Sequence, residues 1–204
     1  MNDLISIIVS SVIQLVAFLL IPFIWWAVTA RKTSFFQWIG LKKPKLNISL
    51  AKLMTIIFTV SFLYIFAMGY IANNLLGLGQ TATSQFSGKG LTVLPQILIF
   101  AIFQTGLSEE ILFRGFLCKR LIGKFGFTLG NTIQAVCFGL IHGIPFGLVT
   151  QSVFVLILVT IFPAIMGYTQ GWLNEKHADG SIIPSWILHS LMNILSGLTV
   201  ALSL

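Results

Sequence analysis

An all-α fold, a polytopic bundle of about six transmembrane helices, is what this sequence predicts, on three observations. Only 8% of the 204 residues are charged and 56% are hydrophobic, against about 25% charged in an ordinary soluble domain. The apolar residues run continuously instead of alternating, which excludes a closed β-barrel, the other backbone arrangement that lipid tolerates. The basic residues also gather at alternate ends of the apolar runs. Arg31, Lys32, Lys42, Lys43, Lys45 and Lys52 follow the first, and Lys119, Arg120 and Lys124 follow the third. That is the positive-inside pattern, so the net charge of +7 speaks for a membrane orientation and not for nucleic acid. Cys118 and Cys137 lie in or near helical runs outside any CxxC or CxxH pattern, and no disulfide framework is expected.

Leu4 to about Thr29 exceeds the ~20 residues that a bilayer crossing needs. It is far longer than the apolar core of a signal peptide and no basic residue precedes it, so a retained anchor is expected. Pro22 is placed to kink it, and Trp25 and Trp26 stand at its basic end, where an aromatic belt belongs. Arg31 to Lys52 interleaves basic residues with Phe35, Phe36, Trp38, Ile39 and Leu41. Two readings fit it equally: a segment lying in the cytoplasmic headgroups, or a plain cytoplasmic loop.

Leu53 to about Leu76 reads as the second span, and Asn73 to Gly90, with Lys89 its one charge, as an external loop. Leu91 to about Cys118 is the third span, and Lys119 to Lys124 returns to the cytoplasm. Gly143, Pro145 and Gly147 punctuate the next apolar stretch. They predict a short helix from about Gly130 to His142, a tight break, and a longer helix to about Trp172. The fourth segment would then be short or re-entrant. Pro163 is placed to bend the longer helix. Asn174 to Gly180 reads as a loop with a solvated His177, and Ile182 to Leu202 as the last span, so that both termini lie outside. Residues 1–90 thus form two N-terminal helices joined by a basic loop, and residues 91–204 a core, within one integrated domain.

The polar residues in that core call for explanation, because charge at membrane depth is expensive and tends to mark function. No charge precedes Glu109 between Leu91 and Ser108, and two of the chain's five acidic residues are Glu109 and Glu110. Glu110 and Arg114 are i and i+4 and can pair along one helix face. Glu109 points about 100° away and needs another partner. His142 shares a face with Phe138, and His189 shares one with Asn193. Taken singly, each has a bland reading: a helix that ends early at the glutamates, a satisfied core histidine, a polar pair gluing helices.

Depth joins them. Glu109 lies ~15 Å of helix from Lys119, His189 lies ~10 Å into the last span from the same side, and His142 lies ~18 Å beyond Gly130. Three helices therefore bring a carboxylate, two imidazoles and an amide to one level. A carboxylate beside an imidazole can deprotonate water, and a second His with an Asn can donate to an oxyanion. Glu109, His142 and His189 would equally make a three-ligand zinc shell with an open position, although the HExxH pattern is absent.

In order, Glu109-Glu110 with Arg114, Phe138 with His142, and His189 with Asn193 resemble the three motifs of the CPBP intramembrane proteases. This is the Abi family that includes the CAAX prenyl endopeptidases. The resemblance spans about Leu94 to Gly197. It implies an intramembrane peptidase with 91–204 as its catalytic core and a cavity opening toward the cytoplasmic side. By that resemblance Glu109 is the base, His142 helps to activate the water, and His189 and Asn193 form the oxyanion site. Glu110, Arg114 and Phe138 are then supporting residues. The family is described both as metalloproteases and as glutamate-dependent proteases, so zinc stays open. The implied partners are a membrane peptide or protein substrate and the bilayer. Larger relatives carry more helices ahead of the motifs; small ones are typically bacterial and resemble peptide-maturation, pheromone-processing or bacteriocin self-immunity proteins. Two other classes fit the same residues: a non-proteolytic adaptor or immunity factor, and a small transporter or proton relay.

Overall fold

The computed structural model describes residues 2–71, 74 and 81–203. Among them the regular structure is helical throughout. Six stretches are long and apolar enough to cross a membrane: Asp3–Thr29, Leu50–Ile71, Gly90–Phe125, Phe127–Thr150, Val153–His177 and Ile183–Ala201. The chain is a multi-pass membrane protein. Side chains such as Val12, Phe62, Phe66 and Val149 stay exposed on the outside of the bundle, where lipid tails solvate them. Between helices there is then little hydrophobic drive, and close approach and polar bonds hold the bundle together.

Helix α1 (Asn2–Thr29) runs through Pro22. Its inward seam is polar: Ser11 lies 3.3 Å from Gln104 Oε1, and Gln14 donates to Ser108 Oγ at 3.3 Å. Helix α2 (Phe35–Trp38) is one turn, capped by Ser34. Here the structure keeps a loop with a single helical turn and departs from the reading that lays its aromatics in the headgroups. Ile39 is fully buried against Ile111 and Ile182, with Phe35, Trp38 and Leu41 packed around it. Only Phe36 among the aromatics faces outward. The segment is a strap across the basic end of the bundle, because its backbone is bonded there: Ile182 N–H to Gly40 O at 2.9 Å, Ser181 Oγ to Lys42 O at 2.6 Å.

Helix α3 (Leu50–Ile71) is the second span. The end expected near Leu76, and most of the start of the expected external loop, lie outside the described residues. Two short 3₁₀ turns, Ala82–Phe86 and Gly90–Val93, lead into the third span. That span comprises α4 (Leu94–Ile99), two wider stretches (Phe100–Leu107 and Glu110–Cys118) and α5 (Lys119–Phe125). Gly126, at φ 78°, turns the chain into α6.

Helix α6 (Phe127–Thr150) overturns the expected break. It continues through Gly143, Pro145 and Gly147 and is 24 residues long, so the fourth segment is neither short nor re-entrant. The glycines are packing positions. A Cβ at Gly143 would meet Leu156 O at 2.7 Å, and one at Gly139 would meet Ala164 Cβ at 2.9 Å. Spaced four apart, they let two backbones come together as small residues do in membranes. The real turn is Gln151, left-handed at φ 53°, followed by Ser152, which caps α7 (Val153–His177). That helix also outruns expectation. Residues 174–177, read as loop, are its last turn, and His177 is bonded to Asn47 Oδ1 at 2.7 Å. Lys119 fastens this end, 2.5 Å from Glu175 and 2.6 Å from Gly180 O. Helix α8 (Ile183–Ala201) completes the bundle.

The α6–α7 seam predicts its own fragility. Gly143→Val should lower the midpoint of thermal unfolding in detergent, by a destabilisation of about 1–3 kcal/mol. Gly69→Ala, where a Cβ meets nothing within 4 Å, should leave the midpoint unchanged.

Candidate active site

The third span carries the charge, and its geometry there is unusual. Phe100–Leu107 and Glu110–Cys118 form wide π-type turns with i→i+5 hydrogen bonding, a feature often found at functional sites. Wide turns release backbone carbonyls, and buried carbonyls need donors. Trp186 Nε1–H donates to Ile102 O at 2.7 Å, and the Thr105 hydroxyl donates to Phe100 O at 3.1 Å. Gly106 lets α8 come close, since a Cβ there would lie 2.7 Å from Ser190 Oγ.

Glu110 is fully buried and fully partnered. Arg114 Nη1 is 3.1 Å from its Oε1, the i,i+4 pair expected from the spacing. His189 Nδ1 lies 3.0 Å from the same oxygen, and Ser185 donates to Oε2 at 2.5 Å. Arg114 also donates to Gln170 Oε1 and lies over the Phe138 ring at 4.0 Å. Phe138 is in turn 4.6 Å from the His142 ring and edge-on to His189 at 6.0 Å. It is an apolar wall shared by the arginine and both imidazoles.

Glu109 sits on the other side of His189. Its Oε2 is 3.8 Å from His189 Nε2 and 4.0 Å from His142 Nε2. That oxygen is buried and has no hydrogen-bond partner. His142 Nδ1 is 2.8 Å from Phe138 O, four residues back on α6. Asn193 does not bond His189, its i−4 neighbour; its Nδ2 donates to Thr105 Oγ1 at 2.7 Å. Side-chain exposure rises from 0% at Glu110 through 8% at His189 and 13% at Glu109 to 32% at His142, so the cluster opens on the α6 side. The structure thus brings Glu109, Glu110, Arg114, Phe138, His142 and His189 into one group. Asn193 lies one turn beyond His189, held against the third span.

The sequence reading passed over four members of this group. Ser185, Gln170 and Asn174 complete the surroundings of Glu110 and Arg114, with Asn174 Nδ2 donating to Ser185 Oγ at 2.7 Å. Gln134 fixes α6 to α7 through Gly167 O at 2.8 Å. A signal existed: Gln170 and Asn174 are i and i+4 in an otherwise apolar run.

A zinc would need Glu109, His142 and His189 as ligands. Donors in a tetrahedral zinc shell lie about 3.3 Å apart, whereas Glu109 Oε2 stands 3.8 and 4.0 Å from the two imidazole nitrogens. Among the described residues no three His, Cys, Asp or Glu side chains form a group able to hold a metal ion. As placed, these donors do not make a zinc shell, and the chemistry is derived below from the side chains alone.

No curated protein and no solved structure matches the chain. A protein family does: residues 91–195 match the family described as Type II CAAX prenyl endopeptidase Rce1-like. The matched stretch begins where the third span begins and takes in Glu109, Glu110, Arg114, Phe138, His142, His189 and Asn193. That match covers just over half of the chain, and this protein is a member of the Rce1-like type II CAAX prenyl endopeptidase family.

Proposed function

We propose that this chain hydrolyses a peptide bond in a membrane-associated peptide or protein, with a water activated by Glu109 and His142 as the nucleophile. One observation carries the reading. Glu109 Oε2 is buried, bonds to no protein group, and faces the Nε2 atoms of His142 and His189 at 4.0 and 3.8 Å. Those separations are too long for direct hydrogen bonds, which leaves the oxygen's acceptor capacity for a reactant water that enters with the substrate.

The tautomers follow from the bonds. A backbone carbonyl only accepts, so His142 carries its proton on Nδ1, toward Phe138 O, and its Nε2 accepts in the neutral ring. Glu109 and His142 then hold the two protons of one water and turn its lone pair outward. As the water oxygen bonds to the substrate carbonyl carbon, one proton passes to Glu109. The charge that develops on the carbonyl oxygen meets the second N–H of Asn193 Nδ2, the first being engaged by Thr105. His189 donates there from Nε2 when its ring carries both protons, since Nδ1–H is directed at Glu110. Glu109 returns the proton to the amide nitrogen as the C–N bond breaks, leaving an acid and an amine.

The same reading places the basic loops in the cytoplasm, following the Lys and Arg asymmetry. A cysteine at Lys89 in a Cys137→Ser background should react with impermeant maleimide added to intact cells, and one at Lys43 should react only after permeabilisation. The reverse pattern would invert the topology.

Comparison of membrane-associated peptides in cells carrying wild-type or Glu109→Gln protein tests the chemistry. Uncut peptides should accumulate with the variant, and in reconstituted membranes its cleavage rate should fall about 10²–10⁴-fold. If cleavage is unchanged, or if a cellular effect survives loss of both Glu109 and His142, the cluster is structural glue in an adaptor or immunity protein. Cleavage is also expected to persist in strong chelator, with no stoichiometric metal in the purified protein. One zinc per chain, whose removal abolishes cleavage, would assign the metal role instead.

A further inference from the structure

We propose that Ser185, clamped by Asn174, is a positioning residue that acts through Glu110 to hold the His189 proton on Nδ1. The placement is specific. Asn174 grips Ser185 at two points, its Nδ2 donating to Ser185 Oγ at 2.7 Å and its Oδ1 accepting Ser185 N–H at 3.3 Å. With Ser185 Oγ accepting from Asn174, its one proton has two acceptors in reach, Ile182 O at 3.0 Å and the nearer, charged Glu110 Oε2 at 2.5 Å, and the carboxylate takes it. All three side chains are buried: Ser185 and Glu110 are 0% exposed and Asn174 1%.

The consequence runs along the carboxylate. With Oε2 held by Ser185, Oε1 is the oxygen left to meet both Arg114 Nη1 at 3.1 Å and His189 Nδ1 at 3.0 Å. A carboxylate paired with a guanidinium only accepts, so Nδ1 is the donor. The other nitrogen, Nε2, is thereby aimed at Glu109 and left to take the second proton with which the ring donates to the oxyanion. Gln170 braces the far side, accepting from Arg114 and approaching Ser185 O at 3.5 Å through Nε2. Helices α7 and α8 and the third span each supply part of this chain. Without the Ser185 hydroxyl, Glu110 Oε2 and the Asn174 amide lose their shared partner, the carboxylate is free to turn, and the His189 proton can settle on either nitrogen. Support of this kind behind a working imidazole decides its tautomer and ring orientation.

The inference rests on the peptidase reading for its effect on rate, but its test does not. The chain holds three histidines, so protein labelled with ¹⁵N-histidine and purified in detergent gives few ring signals, with His189 assigned by the loss of its signal in His189→Gln. In the wild type Nδ1 of His189 should be protonated. Ser185→Thr, which keeps the hydroxyl, should preserve that signal. Ser185→Ala should yield a mixture containing the Nε2–H tautomer. If Ser185→Ala does not fold, Ser185→Cys, close in size and a weak donor, should show the same mixing. An unprotonated Nδ1 in the wild type overturns the proposal. So does a wild-type spectrum in a folded Ser185→Ala or Ser185→Cys protein. In the cleavage assay the folded donor-poor variant should be about 10–100-fold slower, with Ser185→Thr near wild type. Because the spectrum is read without substrate, its failure leaves the peptidase reading standing, and inactivity of the wild type toward every membrane peptide leaves this one standing.

Discussion

A guanidinium cannot stand alone at membrane depth, and Arg114, 1% exposed in the third span, is the constraint to which the surrounding helices answer. Desolvating two charges is expensive, and their attraction is supplemented here by a fully bonded carboxylate and by the Arg114–Gln170 bond, while Arg114 Nε has no hydrogen-bond partner. The pair with Glu110 is therefore the centre of a shell drawn from three other helices. Phe138 of α6 covers the arginine face, Gln170 of α7 accepts from it, and Ser185 and His189 of α8 finish the carboxylate. Removing one member of such a pair typically costs about 3–5 kcal/mol, because the other is left buried and uncompensated. Glu110 is in this sense the structural carboxylate and Glu109 the available one. Two adjacent residues, about 100° apart on the helix, are divided between holding the bundle and facing the opening.

The parts of this arrangement that read directly from the sequence are those governed by one-dimensional rules. Continuous apolar runs and clustered Lys and Arg set out six crossings, because bilayer thickness and backbone satisfaction leave few alternatives. Counting 1.5 Å per residue brought Glu109, His142 and His189 to one level, and the i,i+4 spacing paired Glu110 with Arg114. What the sequence did not disclose depends on partners in space. Gly143, Pro145 and Gly147 signal a break in water, whereas in lipid they let α6 lie against α7. Ile39 looked like an interfacial residue because its place between Ile111 and Ile182 exists only once the strap is tied down. Ser185, Gln170 and Asn174 carry no charge, and their meaning appears only when α7 and α8 meet.

The helices also divide into two kinds. Helices α6 and α7 are pressed together along the glycine seam and deliver His142, Phe138 and Gln170 as one unit. Helix α1 packs along the third span with amide and hydroxyl contacts and α3 packs on α7 and α8 through apolar surface, and none of the clustered charges is theirs. The family match starting at residue 91 has the same boundary.

The wide turns on either side of Glu109 give the chain an unusual sensitivity to length. Each accommodates residues that a regular helix would have to rotate past, and Trp186 and Thr105 take up the carbonyls set free. A single insertion between 100 and 107 would exceed that slack while leaving the stretch just as hydrophobic. Both glutamates would then swing about 100° around the helix axis, carrying Glu110 off Ser185 and Glu109 off the histidines. Hydropathy would register no change, and every residue of the cluster would still be present. For this site the number of residues in the third span is as much a part of the active-site specification as their identity.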